Sequence, residues 1–471
     1  MLKVNITTLG CPKNLVDSVH LAKSFVSEGF TYVVDANEAD ILLVNTCGFI
    51  RDAKEESIEE VLRLVEIKMG SKKLIVFGCL AKRYRDELLR EIPEIDGIWG
   101  VSEEDRIIEY CKKLQVTSYK FKTEKRFKKP HWINNEKQLT TFNFQLSTLS
   151  YAYLKIADGC DKRCTFCVIP SIKGKFRSFP PEVILKEAEE YIQQGIKELI
   201  LVAQDITLYG KGLGRYNLIS LLKDMVSING DFRIRILYLY PTEISDELIE
   251  CVATEDKICK YLDIPLQHSE DRILRLMGRR GTRKEYIKLI RNIRCDIPGI
   301  ALRTTFIVGF PTETEEDFKG LLDFIEEVRF DRLGVFKYSR EEGTPASRLK
   351  GHLPERVKNR RFDEIMKRQA LISLKKNKEL IGREFDAIID EVDGDLAIAR
   401  LYSHTPEIDG VVIIQNTVPP AHPSPSMGEG KGGGESLDSG LCALGSVEVG
   451  DMVAVKIVDA FDYDLKGVLV K

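Results

Sequence analysis

Over the first hundred residues the apolar positions follow two rhythms. Short dense runs, "KVNITTL", "ADILLVN", "KKLIVFG" and "GIWGV", alternate with longer segments such as "VDSVHLAKSFVSEG" and "EESIEEVLRLVEIKM". In the longer segments apolar residues recur every three or four positions. The first rhythm predicts buried strands and the second predicts amphipathic helices. Their alternation over residues 1–119 predicts a parallel sheet with helices on its faces. The alternation resumes after residue 146. Six strands, "YAYLKIA", "KELILVA", "FRIRILYLY", "KYLDIPL", "ALRTTFIVG" and "RLGVFKY", are separated by helices such as "PPEVILKEAEEYIQQ" and "TEEDFKGLLDFIEEV". Six units over 147–352 are too few for an eight-fold barrel, so a partial, open (β/α)6 barrel is expected, with its site at the carboxyl ends of the strands.

A basic connecting helix is expected over 353–380. From 381 to 471 the period changes to two, in "FDAIIDEV", "DLAIARLYS", "GVVIIQ", "DMVAVKIVDA" and "KGVLVK". That pattern predicts a small antiparallel β-barrel. The fold class is therefore α/β with a small C-terminal barrel. Two stretches break the pattern. Residues 120–146 begin with the polar, basic run "KFKTEKRFKKPHWINNEK", which reads as a solvated linker or as a contact with RNA phosphates. Residues 418–446, rich in Pro, Gly and Ser, cannot bury enough apolar surface to offset their ordering entropy and read as a disordered insertion.

Composition adds limits. The chain has 471 residues, is 43% hydrophobic and carries a formal charge of −3, so its total charge names no partner. No apolar run is long enough to span a bilayer, and the N-terminus lacks the apolar core of a signal peptide. A cytoplasmic protein is expected, with no membrane partner. Eleven cysteines are many for a compartment where disulfides are rare, which points to metal ligation or redox chemistry.

Three of them lie in "GCDKRCTFC", where Cys160, Cys164 and Cys167 follow the first barrel strand directly. Zinc usually takes four Cys or His ligands, and no fourth lies within a dozen residues. A 4Fe–4S cluster held by three thiolates fits better, because one iron stays open to a substrate or cofactor. The neighbours Asp161, Lys162 and Arg163 are too polar for an incidental core cluster. Other strand ends also carry polar groups or glycine: Gln204 and Asp205, Gln267 and His268, and Gly309. Each reads as a cofactor or substrate contact or simply as a helix cap or turn. A second trio ends the first three strands of the N-terminal domain, in "TTLGCPKN" (Cys11), "LLVNTCGFI" (Cys47) and "LIVFGCLAKRY" (Cys79). Ligands of open parallel sheets bind beyond the carboxyl ends of the strands, so these thiols are expected to converge. Each has a neighbouring glycine (Gly10, Gly48 and Gly78) that leaves room for a bulky group. Cys111, Cys251, Cys259, Cys295 and Cys442 share no pattern and read as core or surface thiols.

Cys-x-x-x-Cys-x-x-Cys on such a loop resembles the radical S-adenosylmethionine (SAM) superfamily. A cluster domain, a radical SAM half-barrel and a small terminal barrel resembling a TRAM domain, in that order, resemble the methylthiotransferases over nearly the whole chain. "LGCPKNLVDS", "GCLAKRY", "CTFCVIPSIKGKFRS", "AQDITLYG", "YLYP" and "DEVDGDLAIARLYSHTPEIDG" resemble the RimO branch, which modifies protein twelve of the small ribosomal subunit. The tRNA-modifying MiaB branch typically has Gln-Met-Asn where this chain has Pro12, Lys13 and Asn14. The resemblance implies two 4Fe–4S clusters. One, on Cys160, Cys164 and Cys167, would chelate SAM and release a 5′-deoxyadenosyl radical. The other, an auxiliary cluster on Cys11, Cys47 and Cys79, would carry the sulfur that a second SAM methylates. Gln204, Asp205 and Gly309, at the strand ends, are the candidate SAM contacts, and the resemblance implies methylthio transfer to the β-carbon of an aspartate. An unidentified electron donor is also implied. Val19, Phe179 and Thr312 stand where the family usually has Glu, Arg and Gly.

Charge bears on the substrate. From Leu380 to Lys471 there are sixteen Asp and Glu against six Lys and Arg, a net of −10. Such a module should repel nucleic acid and attract a basic protein, such as a ribosomal protein, unless its acidity serves solubility alone. Contact with ribosomal RNA then falls to the basic linker. The other readings are a tRNA (adenosine) methylthiotransferase and a non-catalytic, metal-stabilised ribosome-binding protein.

Overall fold

The computed structural model describes residues 1–122, 150–415 and 447–470, with 115–122 as backbone only. Most of the basic linker, the 418–446 insertion and Cys442 lie outside the described residues.

The N-terminal sheet contains β1 (Lys3–Thr8), β2 (Thr31–Tyr32), β3 (Ile41–Thr46), β4 (Lys73–Gly78) and β5 (Gly97–Trp99), all parallel, in the order β2-β1-β3-β4-β5. The short edge strand β2 has too few residues to show a period, so the sequence pattern misses it. Register aligns Thr8 with Asn45 and Thr46 with Gly78. The carboxyl ends of β1, β3 and β4 are therefore level. The last helix of this domain, Glu104–Lys122, runs into the stretch expected to be linker.

The second sheet has six parallel strands, β6 (Tyr151–Lys155), β9 (Glu198–Val202), β10 (Arg233–Ile236), β11 (Ile258–Asp263), β12 (Ala301–Val308) and β13 (Arg332–Lys337), and it stays open. A two-stranded hairpin, β7 (Ala157–Asp158) with β8 (Arg177–Ser178), brackets the cysteine loop. Alternation along the strands divides the core. Leu154, Leu199, Leu201 and Ile234 pack with the surrounding helices. Tyr153, Ile200, Val202 and Tyr261 form a second cluster that also takes in Val16, from the N-terminal helix Pro12–Ser27. That helix is thus seated on the half-barrel. The connecting helix spans Glu355–Lys378.

The C-terminal module closes as β14 (Glu384–Asp393), β15 (Leu396–Leu401), β16 (Val412–Gln415), β18 (Leu465–Leu469) and β17 (Met452–Ala460). Its expected all-antiparallel pairing is corrected at one seam: β16 and β18 run parallel. Five strands of alternating direction cannot close into a ring without one parallel pair, so the odd strand number requires it.

Buried ion pairs clamp this module to the half-barrel. Arg400 bridges Glu198 (3.1 Å) and Asp390 (2.5 Å), Arg235 pairs with Glu198 (2.6 Å), and Arg303 pairs with Asp409 (2.7 Å). Burial alone would push the Glu198 carboxyl up, but Arg235 and Arg400 hold it at about 2. Removing one partner from such a buried group is far more costly than the net worth of the pair. Asp390 and Asp409 are therefore spent on docking and are not available to a partner.

Candidate active site

The first-domain thiols occupy turns built by their strand ends. Gly10 stands at φ +94°, and a Cβ there would lie 2.7 Å from Cys47 Cβ and 2.9 Å from its sulfur. Cys11 opens the helix Pro12–Ser27 as its N-cap residue. Cys47 is pinned through its backbone. Its N–H donates to Ser57 Oγ at 2.9 Å, and the Ser57 hydroxyl donates to the Cys47 carbonyl at 3.1 Å. Cys79 begins the turn of helix Cys79–Arg83 after Gly78 at φ +97°. A Cβ on Gly48 would strike the backbone of Cys79 and Leu80 at 2.8–2.9 Å. Cys11, Cys47 and Cys79 lie within electrostatic reach of one another.

The barrel thiols gather on one loop. The Cys167 N–H donates to the Cys164 carbonyl at 3.1 Å, and the Cys160 N–H donates to the Gly174 carbonyl at 3.1 Å. Thr165 holds the loop in place. Its N–H donates to Met277 O (2.8 Å), its hydroxyl donates to Leu276 O (2.7 Å), and its carbonyl accepts from the Ala346 N–H (2.9 Å).

Burial pushes the Cys79 and Cys167 thiols up to about 12 and raises Cys47 and Cys160 as well. Bare thiolates are therefore disfavoured. A group that bonds through sulfur and brings positive charge removes that penalty while displacing the protons. The donor sets fit iron–sulfur clusters on this ground, and the glycines leave the space. Among the described residues no three His, Cys, Asp or Glu side chains come together as they would around one metal ion. A four-iron cluster spreads its thiolates over separate corners and asks for a wider arrangement.

The segment that follows the barrel trio meets the first domain at Cys79. Cys79 packs with Val168 and Ile172, in the segment that leaves Cys167. Lys173 of that segment pairs with Asp17 of the first domain (3.1 Å) and with Asp158 (3.7 Å). Lys155 pairs with the same two carboxylates, at 3.5 Å from Asp158. Farther out, Glu341 takes Lys54 (2.9 Å) and Arg83 (3.0 Å) across the junction. Sequence reading missed Asp17, Lys173, Thr165 and Ser57. Lone charged or hydroxyl residues carry no spacing signal, and only their position in the fold gives them a role.

The strand-end residues divide. Gln204 donates to Asp158 Oδ1 at 2.9 Å, and its buried carbonyl oxygen has no partner. Asp205 caps a short turn at the Thr207 N–H and pairs with Lys162 at 3.4 Å, leaving its second oxygen without a hydrogen bond. Gln204 thus keeps an acceptor in reserve at the barrel mouth, while the second oxygen of Asp205 faces the Lys162 ammonium. Gly309 has φ +75°, but the space beside its α-carbon is filled by the Lys358 side chain, so local packing accounts for this glycine. Gln267 lies at φ +72°. His268 is fully buried, its Nδ1 accepts from the Glu270 N–H, and burial lowers its pKa to about 3. Cys111, Cys251 and Cys259 are buried free thiols, and Cys295 is exposed.

Three domain families match along the chain. "Uncharacterized protein family UPF0004" covers residues 3–100, "Radical SAM superfamily" 154–325 and "TRAM domain" 381–470. The ribosomal protein uS12 methylthiotransferase RimO of Thermodesulfovibrio yellowstonii is 54% identical over 470 residues, covering all of both chains. RimO of Geotalea uraniireducens is 42% identical, covering 99% of this chain and 98% of its own. The chain belongs to the RimO family of ribosomal protein uS12 methylthiotransferases. As a RimO-family chain with a radical SAM domain it is a methylthiotransferase enzyme that works with an iron–sulfur cluster and SAM. The fold is also that of the radical SAM methyltransferase TsrM from Kitasatospora setae, which is 13% identical, with a TM-score of 0.52 over 84% of this chain and 79% of that one. Among the described residues no helix is long and apolar enough to cross a membrane.

Proposed function

We propose that this chain transfers a methylthio group to the β-carbon of an aspartate in ribosomal protein uS12, using two 4Fe–4S clusters. Cys160, Cys164 and Cys167 hold the radical SAM cluster, and Cys11, Cys47 and Cys79 hold the auxiliary one. When bound, these groups supply a one-electron cleavage of SAM that yields a hydrogen-abstracting radical, together with a sulfur for transfer. The chain supplies placement and seclusion. Gln204 offers a free acceptor at the barrel mouth, beside the Asp205 carboxylate that faces Lys162. The Asp17–Lys173–Asp158 bridge fixes one trio against the other, and the helix Pro12–Ser27 covers the half-barrel.

The observation that carries the proposal is the packing of Cys79 against Val168 and Ile172. Hydrogen removal and methylthio delivery act on one carbon, so their two centres must face one cavity. The substrate follows from the RimO names of relatives that align over their full length and from the −10 charge of residues 380–471, which suits a basic protein and repels phosphates. The basic linker remains the segment for contact with ribosomal RNA.

Anaerobic reconstitution should give about eight irons per chain, as two four-iron clusters require. Mass spectrometry after incubation with SAM, reductant and uS12 should then find one methylthio group on an aspartate. Methylthio-adenosine in tRNA, with uS12 unchanged, would overturn the substrate. Bound zinc without SAM cleavage would overturn the chemistry.

A further inference from the structure

Lys13 lies two residues beyond Cys11, in "GCPKN". It belongs to the first domain yet reaches the half-barrel. Its Nζ sits 3.9 Å from the centre of the Tyr238 ring, just past the end of β10. The groups that face it are Tyr238, Cys11, Lys173 and Asp158, with Asp263 behind Tyr238. The lysine is only partly exposed.

Its surroundings contrast with those of its neighbours. Lys155 and Lys173 both pair with Asp17 and Asp158, and Glu104 is also turned toward that pair. Among the described residues Lys13 has no ion-pair partner and only the aromatic face. Tyr238 itself is held at φ +65°, a conformation rare for a bulky side chain. Strain of this kind gathers where a ligand is held. The Tyr238 carbonyl accepts from the Ile206 N–H at 3.2 Å, next to Asp205, so Lys13 hangs over the barrel mouth. A cation in such a place lacks an anion of matched size.

We propose that Lys13 is the specificity-determining cation that receives the side-chain carboxylate of the acidic residue to be modified, with Tyr238 as its platform. This rests on the aspartate reading above. Both oxygens of a carboxylate held at the Lys13 ammonium would turn the adjacent β-carbon toward the space shared by the two trios. The competing role is simple charge balance for a thiolate-ligated cluster.

The test uses the reconstituted full chain and two fluorescent peptides spanning the modified loop of uS12, one with aspartate and one with asparagine at the target. Binding is read by anisotropy without turnover. The wild-type chain should prefer aspartate by roughly tenfold or more, the worth of a charge-assisted hydrogen bond. Lys13→Gln should bind both peptides alike, and Lys13→Arg should keep the preference. Equal wild-type binding of both peptides would overturn the proposal without any variant. So would a Lys13→Gln chain that still prefers aspartate. A Lys13→Gln chain that loses iron or changes its cluster spectrum while keeping the preference would assign the lysine to charge balance instead. If neither peptide binds and uS12 is never modified, the aspartate reading falls with it. Binding without discrimination sinks only the role of Lys13.

Discussion

The two cysteine trios arrive at similar sulfur sets by opposite routes. Cys160, Cys164 and Cys167 lie on one loop, whose shape is set by its own turns and by the three hydrogen bonds of Thr165. Cys11, Cys47 and Cys79 follow three different strands, and register levels the ends of β1, β3 and β4 beneath them. The loop trio is a local structure that the fold positions. The strand-end trio is made by the fold itself. Damage to the first should stay local, whereas damage to the second should pass through the sheet.

Loss of a loop thiol gives the largest expected effect. Cys164→Ala should abolish SAM cleavage, measured as 5′-deoxyadenosine formed under dithionite, while iron falls only from about eight to about four per chain. Loss of all iron would show that the trios are not separate. Cys79→Ala should give the mirror image, with SAM cleavage retained, methylthio product absent and about four irons left. If Cys79→Ala also stopped SAM cleavage, the division of labour between the trios would be wrong.

This contrast also explains what could be read from sequence. The loop trio is legible because its ligands share nine residues and a spacing. The strand-end trio is legible because period and turn residues reveal the strands, and each thiol holds the same phase. All six strands of the half-barrel and all five of the terminal barrel were legible for the same reason. What stayed hidden depends on distant partners. The Asp17–Lys173 bridge joins residues 156 positions apart, and no local pattern announces it. The parallel seam between β16 and β18 is a property of strand number rather than of any residue. Gly309 was read as a ligand approach, but Lys358, contributed by the connecting helix, fills its free side.

A middle-sized effect should come from glycine substitutions that separate the two routes. Gly10→Ala places a methyl 2.7 Å from Cys47 Cβ on backbone at φ +94°. It should destabilise the chain by about 1–3 kcal/mol through strain, and the clash should also cost the first-domain iron. Gly174→Ala, beside the loop trio, is strained at φ +76° but meets nothing within 4 Å. It should cost about 1–3 kcal/mol through strain alone and leave both clusters loaded. Urea unfolding of the apo chains, with iron analysis of the reconstituted ones, gives both readings. Equal iron loss in the two variants would remove the distinction between fold-made and loop-made sites.

The smallest effect concerns a residue near the barrel mouth that is not glycine. Thr312 stands at φ +69°, where a β-branched side chain is strained. This is the position at which the family resemblance led one to expect Gly. Three interactions hold the backbone there. The Thr312 N–H donates to Gly351 O at 2.9 Å, and Arg272 donates to the Thr312 carbonyl (2.7 Å) and hydroxyl (3.2 Å). Thr312→Gly removes the strain and the hydroxyl bond but leaves both backbone bonds intact. Relief of an αL position for a non-glycine residue is worth on the order of 1–3 kcal/mol, against about 1 kcal/mol for a bond that is solvent-exposed here. Glycine's greater freedom in the unfolded chain takes back about 0.4–1 kcal/mol, so the variant should be more stable by up to about 1 kcal/mol, seen as a rise in the thermal midpoint of the apo chain, with SAM cleavage unchanged. A lower midpoint would mean that the Arg272 hydroxyl bond outweighs the strain. The barrel mouth would then be held by side chains, where the strand-end trio is held by glycine backbone.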